Sequence, residues 1–219
     1  FSSNNLGFGG AAGSIAALGV SDGFVAALDA STGAPLTTFS GDGIQTFGGT
    51  DDTLQAIFYE AAGGLALADG VLYVAGCFSS SNAGIGGTGA VAAAGGSYDV
   101  FVMALDATTG AAKTTFNGNG VQTFGGSGTD VGGAITVDSG IVYITGRFGS
   151  NNAGIGGLGA IASTGDWDAF ILALDATSGA AKTTFNGNGV QTVCGTGSEI
   201  GENIIVANDI VYVSGETTS

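Results

Sequence analysis

Three observations predict an all-β protein made of repeated four-stranded units. The passage ATTGAAKTTFNGNGVQT (107–123) returns almost unchanged as ATSGAAKTTFNGNGVQT (176–192), 69 residues later. Short apolar runs rich in β-branched and aromatic residues alternate with Asp, Asn and Gly steps, which is typical of strands joined by tight turns. The 219 residues include 44 Gly but one Pro and are 44% hydrophobic, which fits neither collagen nor a disordered linker.

Three units can be laid over one another along the chain. They begin at Phe1 (FSSNNLGFGG), Phe78 (FSSSNAGIGG) and Phe148 (FGSNNAGIGG), with spacings of 77 and 70 residues. The first unit is longer because it carries about seven extra residues around 57–62. We therefore divide the chain into repeat units at 1–77, 78–147 and 148–219, as parts of one continuous structure.

The first predicted strand of each unit lies between two Asp residues. It reads SDGFVAALD, YDVFVMALD and WDAFILALD in the three units, with Asp22, Asp99 and Asp168 near its start. For these three carboxylates, capping of the preceding loop is the preferred interpretation over a chemical role. The second Asp precedes a turn (ASTG, ATTG or ATSG) whose backbone it can hydrogen-bond.

The remaining strands follow in the same order in each unit. APLTTF or AAKTTF is the predicted second strand, and a loop SGDG or NGNG then leads to IQTF, VQTF or VQTV. The Asn-Gly step favours positive φ and indicates a hairpin. Two apolar strands around a tight turn complete the unit, as in GGAITVD-SG-IVYITG (132–146). A four-stranded sheet with two apolar faces has to stack on neighbours, which predicts a β-propeller-like fold.

Two passages resemble a known family. VYITGRFGSNNAGIGGLGAIASTGDWDAFILALDATSG (142–179) resembles the secreted bacterial β-propeller repeats of the seven-bladed type, and FNGNGVQTFGGSGTD (116–130) is similar to related short propeller repeats. The resemblance spans all three units and implies fold more than function, since such repeats occur in surface, adhesive and enzyme-attached proteins. The strand Lys of that family is Ala27, Ala104 and Ala173 here.

The resemblance also implies which strands are inner and which are outer. The AITVD and VYITG type would be inner, and the FVMALD and AAKTTF type outer. Two complete blades are then expected at about 63–116 and 132–185, with an outer half-blade at 22–39 and an inner half-blade at 202–216. A three-bladed ring within one chain falls below the usual minimum of about four. Either the chain is part of a longer propeller, or half-blades pair between copies in a two-copy ring or a filament.

Composition narrows the function classes. A net charge of −15 argues against nucleic acid and anionic lipid as partners. The absence of His removes Ser-His-Asp and Cys-His nucleophiles and imidazole metal sites. No apolar run is long enough to cross a bilayer, so no membrane insertion is expected. Low Lys with abundant Gly, Ala, Ser, Thr and Asn predicts an extracellular or cell-surface protein. A start at Phe1 suggests a mature product or an excised fragment.

Cys77 and Cys194 are the only cysteines, and the other units have different residues at their positions. Three outcomes remain open: a disulfide between copies, two reduced thiols, or a disulfide within the chain. The last requires Cα atoms within about 7 Å. Because the two cysteines would lie two blades apart, it fits only a very narrow ring.

Two groups of residues are candidate ligand sites. Tyr98 and Trp167, with the neighbouring Asp166, could form a sugar-stacking rim, although rim packing is the simpler interpretation. Carboxylates also cluster in the loops that enter the inner strands: Asp51, Asp52, Asp130, Glu199 and Glu202. Oxygen ligands suit Ca²⁺, but no EF-hand-type loop is present. No cofactor is therefore expected, with Ca²⁺ as a weak candidate.

The residues favour a non-enzymatic extracellular module with a structural or adhesive role, assembling with other copies or with further repeats. Near-duplicate units offer equivalent faces, which suits lattice building better than a single active site. The alternative is a carbohydrate-binding, lectin-like propeller that uses the aromatic and acidic rim loops. A third hypothesis is an enzyme fragment whose catalytic residues lie elsewhere. Paired carboxylates could act as a glycosidase acid and base, but no spacing singles out a pair.

Overall fold

The computed structural model describes residues 5–8, 15–19, 22–50 and 64–218, and these contain strands and turns but no helix. No helix in this part of the chain is therefore long and apolar enough to span a membrane. Fourteen strands follow one another in chain order: β1 (Gly23–Ala26), β2 (Ile44–Gly48), β3 (Leu65–Ala68), β4 (Val71–Phe78), β5 (Gly84–Ile85), β6 (Asp99–Asp106), β7 (Val121–Gly125), β8 (Asp130–Asp138), β9 (Ile141–Phe148), β10 (Gly154–Ile155), β11 (Asp168–Asp175), β12 (Val190–Val193), β13 (Ser198–Ala207) and β14 (Ile210–Thr218).

The strands form four antiparallel sheets, which we number I to IV. Sheet I has the order β1-β2-β5, sheet II β10-β7-β6-β4-β3, sheet III β12-β11-β9-β8 and sheet IV β13-β14. The prediction of an all-β chain of antiparallel strands is confirmed. Sheets II and III each contain four strands in an up-and-down order, β3-β4-β6-β7 and β8-β9-β11-β12, and the smaller sheets I and IV precede and follow them in the chain.

The hairpins of the long strands form where the sequence predicts them. Asp69 and Gly70 connect β3 to β4 with φ of 49° and 75°, and Ser139 and Gly140 connect β8 to β9 with φ of 49° and 74°. Two successive positive φ values are the signature of a type I′ turn, whose twist matches that of the strands it joins. The third hairpin uses Asn208 and Asp209, with φ of 53° and 61°.

The predicted second strand, AAKTTF, is wrong. Within 111–116 only Ala112 forms a bridge, to Leu105, and residues 114–119 are turns. Asn117, Gly118 and Gly120 all have positive φ, which bends the chain away from an extended path. The fourth strand of sheet II is instead VQTFG, β7, which pairs with β6.

This correction moves the sheet boundaries. The two four-stranded sheets cover 65–125 and 130–193 rather than 63–116 and 132–185. The N-terminal half-sheet, β1 with β2, covers 23–48 rather than 22–39, and the C-terminal half-sheet covers 198–218 rather than 202–216.

Two short strands connect neighbouring sheets. The chain leaves sheet II after β4 and adds Gly84 and Ile85 to the edge of sheet I, opposite Gly48 and Phe47. In the same way β10 leaves sheet III and adds to β7 of sheet II, with Ile155 opposite Phe124. The sequence does not predict that these Gly-rich stretches cross to the preceding sheet. We call β5 and β10 the straps.

The sheets pack face to face around two apolar clusters. Between sheets I and II, Phe101 lies 4.5 Å from Phe47 and 6.3 Å from Phe78, measured between ring centroids. Between sheets II and III an equivalent triplet recurs, in which Phe124 lies 4.9 Å from Phe170 and 6.1 Å from Phe148. Both faces of sheet II are therefore buried, since its β6 residues alternate between the two clusters.

Candidate functional site

Tyr98 and Trp167, the two predicted rim aromatics, line one cleft of about 280 Å³ between sheets II and III. Each immediately precedes a central strand, β6 or β11, and its carbonyl accepts a backbone N–H at 2.8 Å, from Asp130 for Tyr98 and from Glu199 for Trp167. The strands thus fix both aromatic residues at the same end of their sheets. Asp166 is exposed beside Trp167 and is not among the residues lining the cleft.

Arg147, which the sequence analysis did not single out, lies in the same cleft. Its guanidinium carbon is 4.6 Å from the centroid of the Trp167 ring, a cation–π contact. The buried Nε of Arg147 has no hydrogen-bond acceptor among the described residues. The other two basic residues, Lys113 and Lys182, instead pair with loop carboxylates at 3.5 and 3.7 Å. Arg147 is thus a cation placed against an aromatic wall without a carboxylate partner in the described part of the chain.

The carboxylates at the start of the central strands accept hydrogen bonds from backbone N–H groups of adjacent loops, as the sequence predicts. Asp22 accepts the Leu18 N–H at 2.6 Å and Asp168 the Thr164 N–H at 2.6 Å. Asp99 accepts the N–H groups of Ala94 and Gly126. Burial raises the pKa of Asp99 to about 7, against the effect of these hydrogen bonds. The shift therefore has a structural cause, the burial of this carboxyl between the two loops that it holds.

The calcium candidates do not form a metal site in the described residues. No group of three or more carboxylate or thiol ligands comes together there. Asp130 is buried and accepts hydrogen bonds from Gly126 and from Ser150, whose hydroxyl lies 2.6 Å away. Glu199 accepts the Thr217 hydroxyl at 2.9 Å, and Glu202 is exposed. Asp51 and Asp52 lie outside the described residues.

No disulfide joins Cys77 to Cys194. Cys77 is buried on β4 at the base of the cleft, whereas Cys194 is exposed just after β12. Burial raises the pKa of the Cys77 thiol to about 12. A disulfide between copies therefore remains open only to Cys194 in this fold, because the other thiol is not accessible.

A second candidate site arises from the way consecutive sheets are joined. Gln122 donates from Nε2 to the Gly179 carbonyl at 2.9 Å, and the Asn117 N–H donates to the Ser178 carbonyl at 2.8 Å. Phe116, which is fully buried, lies under Gly179. These contacts connect the outer part of sheet II to the ATSG turn of sheet III. We call this set of contacts the joint.

The same joint connects sheet I to sheet II. Gln45 donates to the Gly110 carbonyl at 2.7 Å, and the Ser40 N–H donates to the Thr109 carbonyl at 2.9 Å. Phe39 is buried under Gly110. Equivalent residues thus make equivalent bonds across both internal interfaces.

The C-terminal end of the stack carries the donor side of a joint without its acceptor side. Phe185 is only half-buried, and Gln191 is exposed and donates to its neighbour's carbonyl, that of Thr192, at 3.2 Å. Val193 is 52% exposed, whereas Phe124 at the equivalent position is 1% exposed. Beyond it, no described strand pairs with the outer edge of β14, and nearly all of the nine residues of this strand are exposed.

The N-terminal end carries the acceptor side. Phe24 on β1 is 41% exposed, while its equivalents Phe101 and Phe170 are buried in the two clusters. Leu28 is exposed in the same way, whereas Leu105 is buried. A Cβ built on Gly33, in the ASTG turn, would meet no atom of the described residues within 4 Å, so no Phe in the described ranges covers this turn.

The chain matches no protein-family model and no curated protein.

Two sequence signals could have found these residues. Arg147 is the only arginine, and it occupies the position that Cys77 and Glu216 hold in the other units. The joint residues lie inside the duplicated passage itself, in FNGNGVQT. Here the residues that recur in this loop make the contacts between units, whereas Arg147, present in one unit, lines the cleft.

Proposed function

We propose that this chain is a non-enzymatic extracellular module of the β-propeller type, with a structural or adhesive role, which assembles with other copies of itself. The observation that carries the proposal is the joint, made twice inside the chain and left half-made at each end. A chain with complementary unfinished ends is suited to building larger structures.

The arrangement of sheets II and III supports the propeller part of the proposal. Each contains four antiparallel strands in an up-and-down order, to which sheet II adds the β10 strap, and each buries apolar residues against its neighbour in the stack. A sheet of this kind cannot cover both of its own faces, so stacking continues until the array closes or is capped. Sheets I and IV would then be two halves of one further blade.

The distribution of polar groups supports a non-enzymatic role. The buried carboxylates Asp99, Asp130 and Asp168 accept backbone N–H groups of adjacent loops. Groups occupied in this way support loops rather than present a proton or a lone pair to a substrate. Localisation outside the cell is supported by the composition, with three basic residues and a net charge of −15.

Absolute mass in solution tests the assembly proposal. Light scattering on a sizing column, over a range of concentrations, should give a species near twice the 21.0 kDa chain mass for a two-copy ring, or a broad series for a filament. The mass should persist in reductant, because the joint uses no disulfide. A single 21.0 kDa species at every concentration would contradict self-assembly.

A second candidate function, carbohydrate binding, is favoured by the cleft that holds both Tyr98 and Trp167. Aromatic rings stack on sugar faces, and the guanidinium of Arg147 would favour a sugar that bears a carboxylate. A glycan screen should show acidic ligands, with binding lost in Trp167→Ala and weakened in Arg147→Gln. Leu158→Ala, an exposed change outside the cleft, is the matched control. A screen without any bound glycan would exclude this alternative.

A further inference from the structure

We propose that β14 of one copy pairs with β1 of a second copy, which completes a four-stranded sheet in the order β13-β14-β1-β2 across two chains. The inference rests on the proposed function and identifies the partner surface as the N-terminal end of another copy. It is heterologous, because each copy contributes a different end, and it therefore leads to a ring or a filament.

The register of this pairing follows from the two equivalent pairs inside the chain. Gly76 on β4 lies opposite Phe101 on β6, and Gly146 on β9 lies opposite Phe170 on β11. The sequence VYVSG places Gly215 at the same position of β14. Gly215 should thus lie opposite Phe24 of the second copy, and Val213 opposite its Ala26.

The glycine at this position has a physical reason. A Cβ built on Gly146 would clash with the Val131 carbonyl of β8 and would lie 2.9 Å from the Phe170 ring, closer than side-chain contacts allow. A side chain at this position is therefore excluded both by the hairpin partner and by the aromatic residue opposite. A Cβ on Gly215 would clash with the Ile200 carbonyl of β13, so the hairpin of one copy already requires glycine there, and the same glycine leaves space for an aromatic ring opposite it.

A groove is present where the incoming aromatic ring would lie. Between sheets II and III, Phe170 packs on Phe124, which in turn packs on Phe148. The equivalents of Phe124 and Phe148 at the C-terminal end are Val193 and Thr217. Val193 and Thr217 both line a groove of about 230 Å³ between sheets III and IV. Phe24 of a second copy would fill this groove and bury a side chain that is 41% exposed in the single chain.

The outer part of the interface would complete the joint. Phe185 and the Asn186 N–H would face the ASTG turn of the second copy, and Gln191 would exchange its local carbonyl for that of Gly33. The open space around Gly33 leaves room for the Phe185 ring, as Gly179 does for Phe116. These contacts are the same in type and order as those of the two internal joints.

The strap supplies a further connection. Leu6 pairs with Ile15 just as Ala83 pairs with Val91 beside the β5 strap. Gly7 and Phe8 occupy the position in their unit that the β10 strap occupies in the third unit. Because β10 pairs with β7, Gly7 and Phe8 of the second copy would pair in the same way with β12 of the first copy. One surface thus uses strand pairing, ring insertion, the joint and a strap, all with precedents inside the chain.

Cysteine cross-linking tests the register. Ala26→Cys and Val213→Cys are made in separate chains, both carrying Cys194→Ser, and the two proteins are mixed under mild oxidation. Opposed residues of antiparallel strands have Cα atoms about 4.5–5.5 Å apart, within the reach of a disulfide. We expect a species near twice 21.0 kDa that contains one chain of each kind and that reductant separates. Ala26→Cys with Tyr212→Cys is the control, since Tyr212 points to the opposite face of β14.

Three results would overturn the inference. One is equal cross-linking in the control pair, and another is cross-linking of either variant with itself in place of the mixed pair. The third is a disulfide within a single chain carrying both substitutions, which would mean that the chain closes on itself. If mixed pairs are absent while light scattering still shows self-assembly, this interface is wrong and the proposed function stands. A 21.0 kDa species throughout would refute both.

Discussion

Phe116 and Phe185 occupy the same position in two nearly identical passages, so truncation of each compares one side chain in two surroundings. Phe116 is fully buried, packs on Tyr73 at 6.0 Å between centroids and lies under Gly179 of the next sheet. Phe185 keeps the equivalent contact, with Tyr143 at 6.0 Å, but no turn among the described residues covers it, and its ring is only half-buried. The sequence around the two Phe residues is nearly the same, so the two sites differ mainly in whether a neighbouring sheet covers the ring.

The two substitutions should therefore have unequal effects on the free energy of unfolding. Removal of a fully buried Phe side chain costs about 3–5 kcal/mol, from lost burial and the cavity left behind. Phe116→Ala should fall in that range. Phe185→Ala removes a half-buried ring and leaves a site open to water, so we expect about 1–2 kcal/mol.

Urea unfolding provides the measurement, followed by Trp fluorescence and circular dichroism to check that one transition is observed. Protein concentration should be low enough that only the 21.0 kDa species is present. At higher concentration the cost of Phe185→Ala should rise, because assembly covers that ring. Equal costs for the two variants at low concentration would refute the assignment of Phe185 to an open joint.

Three further predictions concern charge and thiols. Burial raises the pKa of Asp99 from 3.8 to about 7, so the folded state favours the protonated carboxyl; the stability that this adds is fully present below pH about 4 and is lost as the pH rises to about 7. The free energy of unfolding should therefore fall less steeply with pH across this window in Asp99→Asn. An unchanged slope would contradict the raised pKa of Asp99. Self-assembly of copies that each carry a charge of −15 should strengthen between about 0.05 and 0.5 M NaCl, as sedimentation would show, whereas weakening by salt would mean that attraction between charges drives it. Iodoacetamide should label Cys194 in the native protein and Cys77 only after unfolding, and mass spectrometry of native Cys77 adducts would disprove its burial.

The strands that the sequence predicts best are those with strong local signals. The β8–β9 hairpin follows from two apolar runs around Ser139 and Gly140, because a type I′ turn needs two residues that tolerate positive φ. The passage AAKTTF has a residue composition that suits a strand, yet its Phe116 lies beneath a turn of the neighbouring sheet. The conformation of this passage therefore depends on a contact with another unit, which the residues of the passage alone do not reveal.

The straps and the cleft were harder to predict for a similar reason. Gly84 and Ile85 belong to a Gly-rich stretch without a strand-like pattern, and only the exposed edge of β2 gives them a partner. Tyr98 and Trp167 were grouped from their equivalent positions, and the structure places both in one cleft. Arg147 stands where the other units have Cys77 and Glu216, so comparison between units marks it as exceptional but does not predict which residues it contacts.

The boundaries of the sequence repeats do not coincide with the boundaries of the sheets, and this offset affects how such a chain can gain or lose repeats. Sheet II takes its strands from the end of the first unit and the start of the second, and sheet III does the same with the second and third units. The second and third units each also send a strap back to the preceding sheet. A duplication or deletion of about one unit therefore adds or removes a donor end and an acceptor end together. The remaining ends stay complementary without any compensating substitution, so copying errors in the gene would yield longer or shorter arrays that still fit one another.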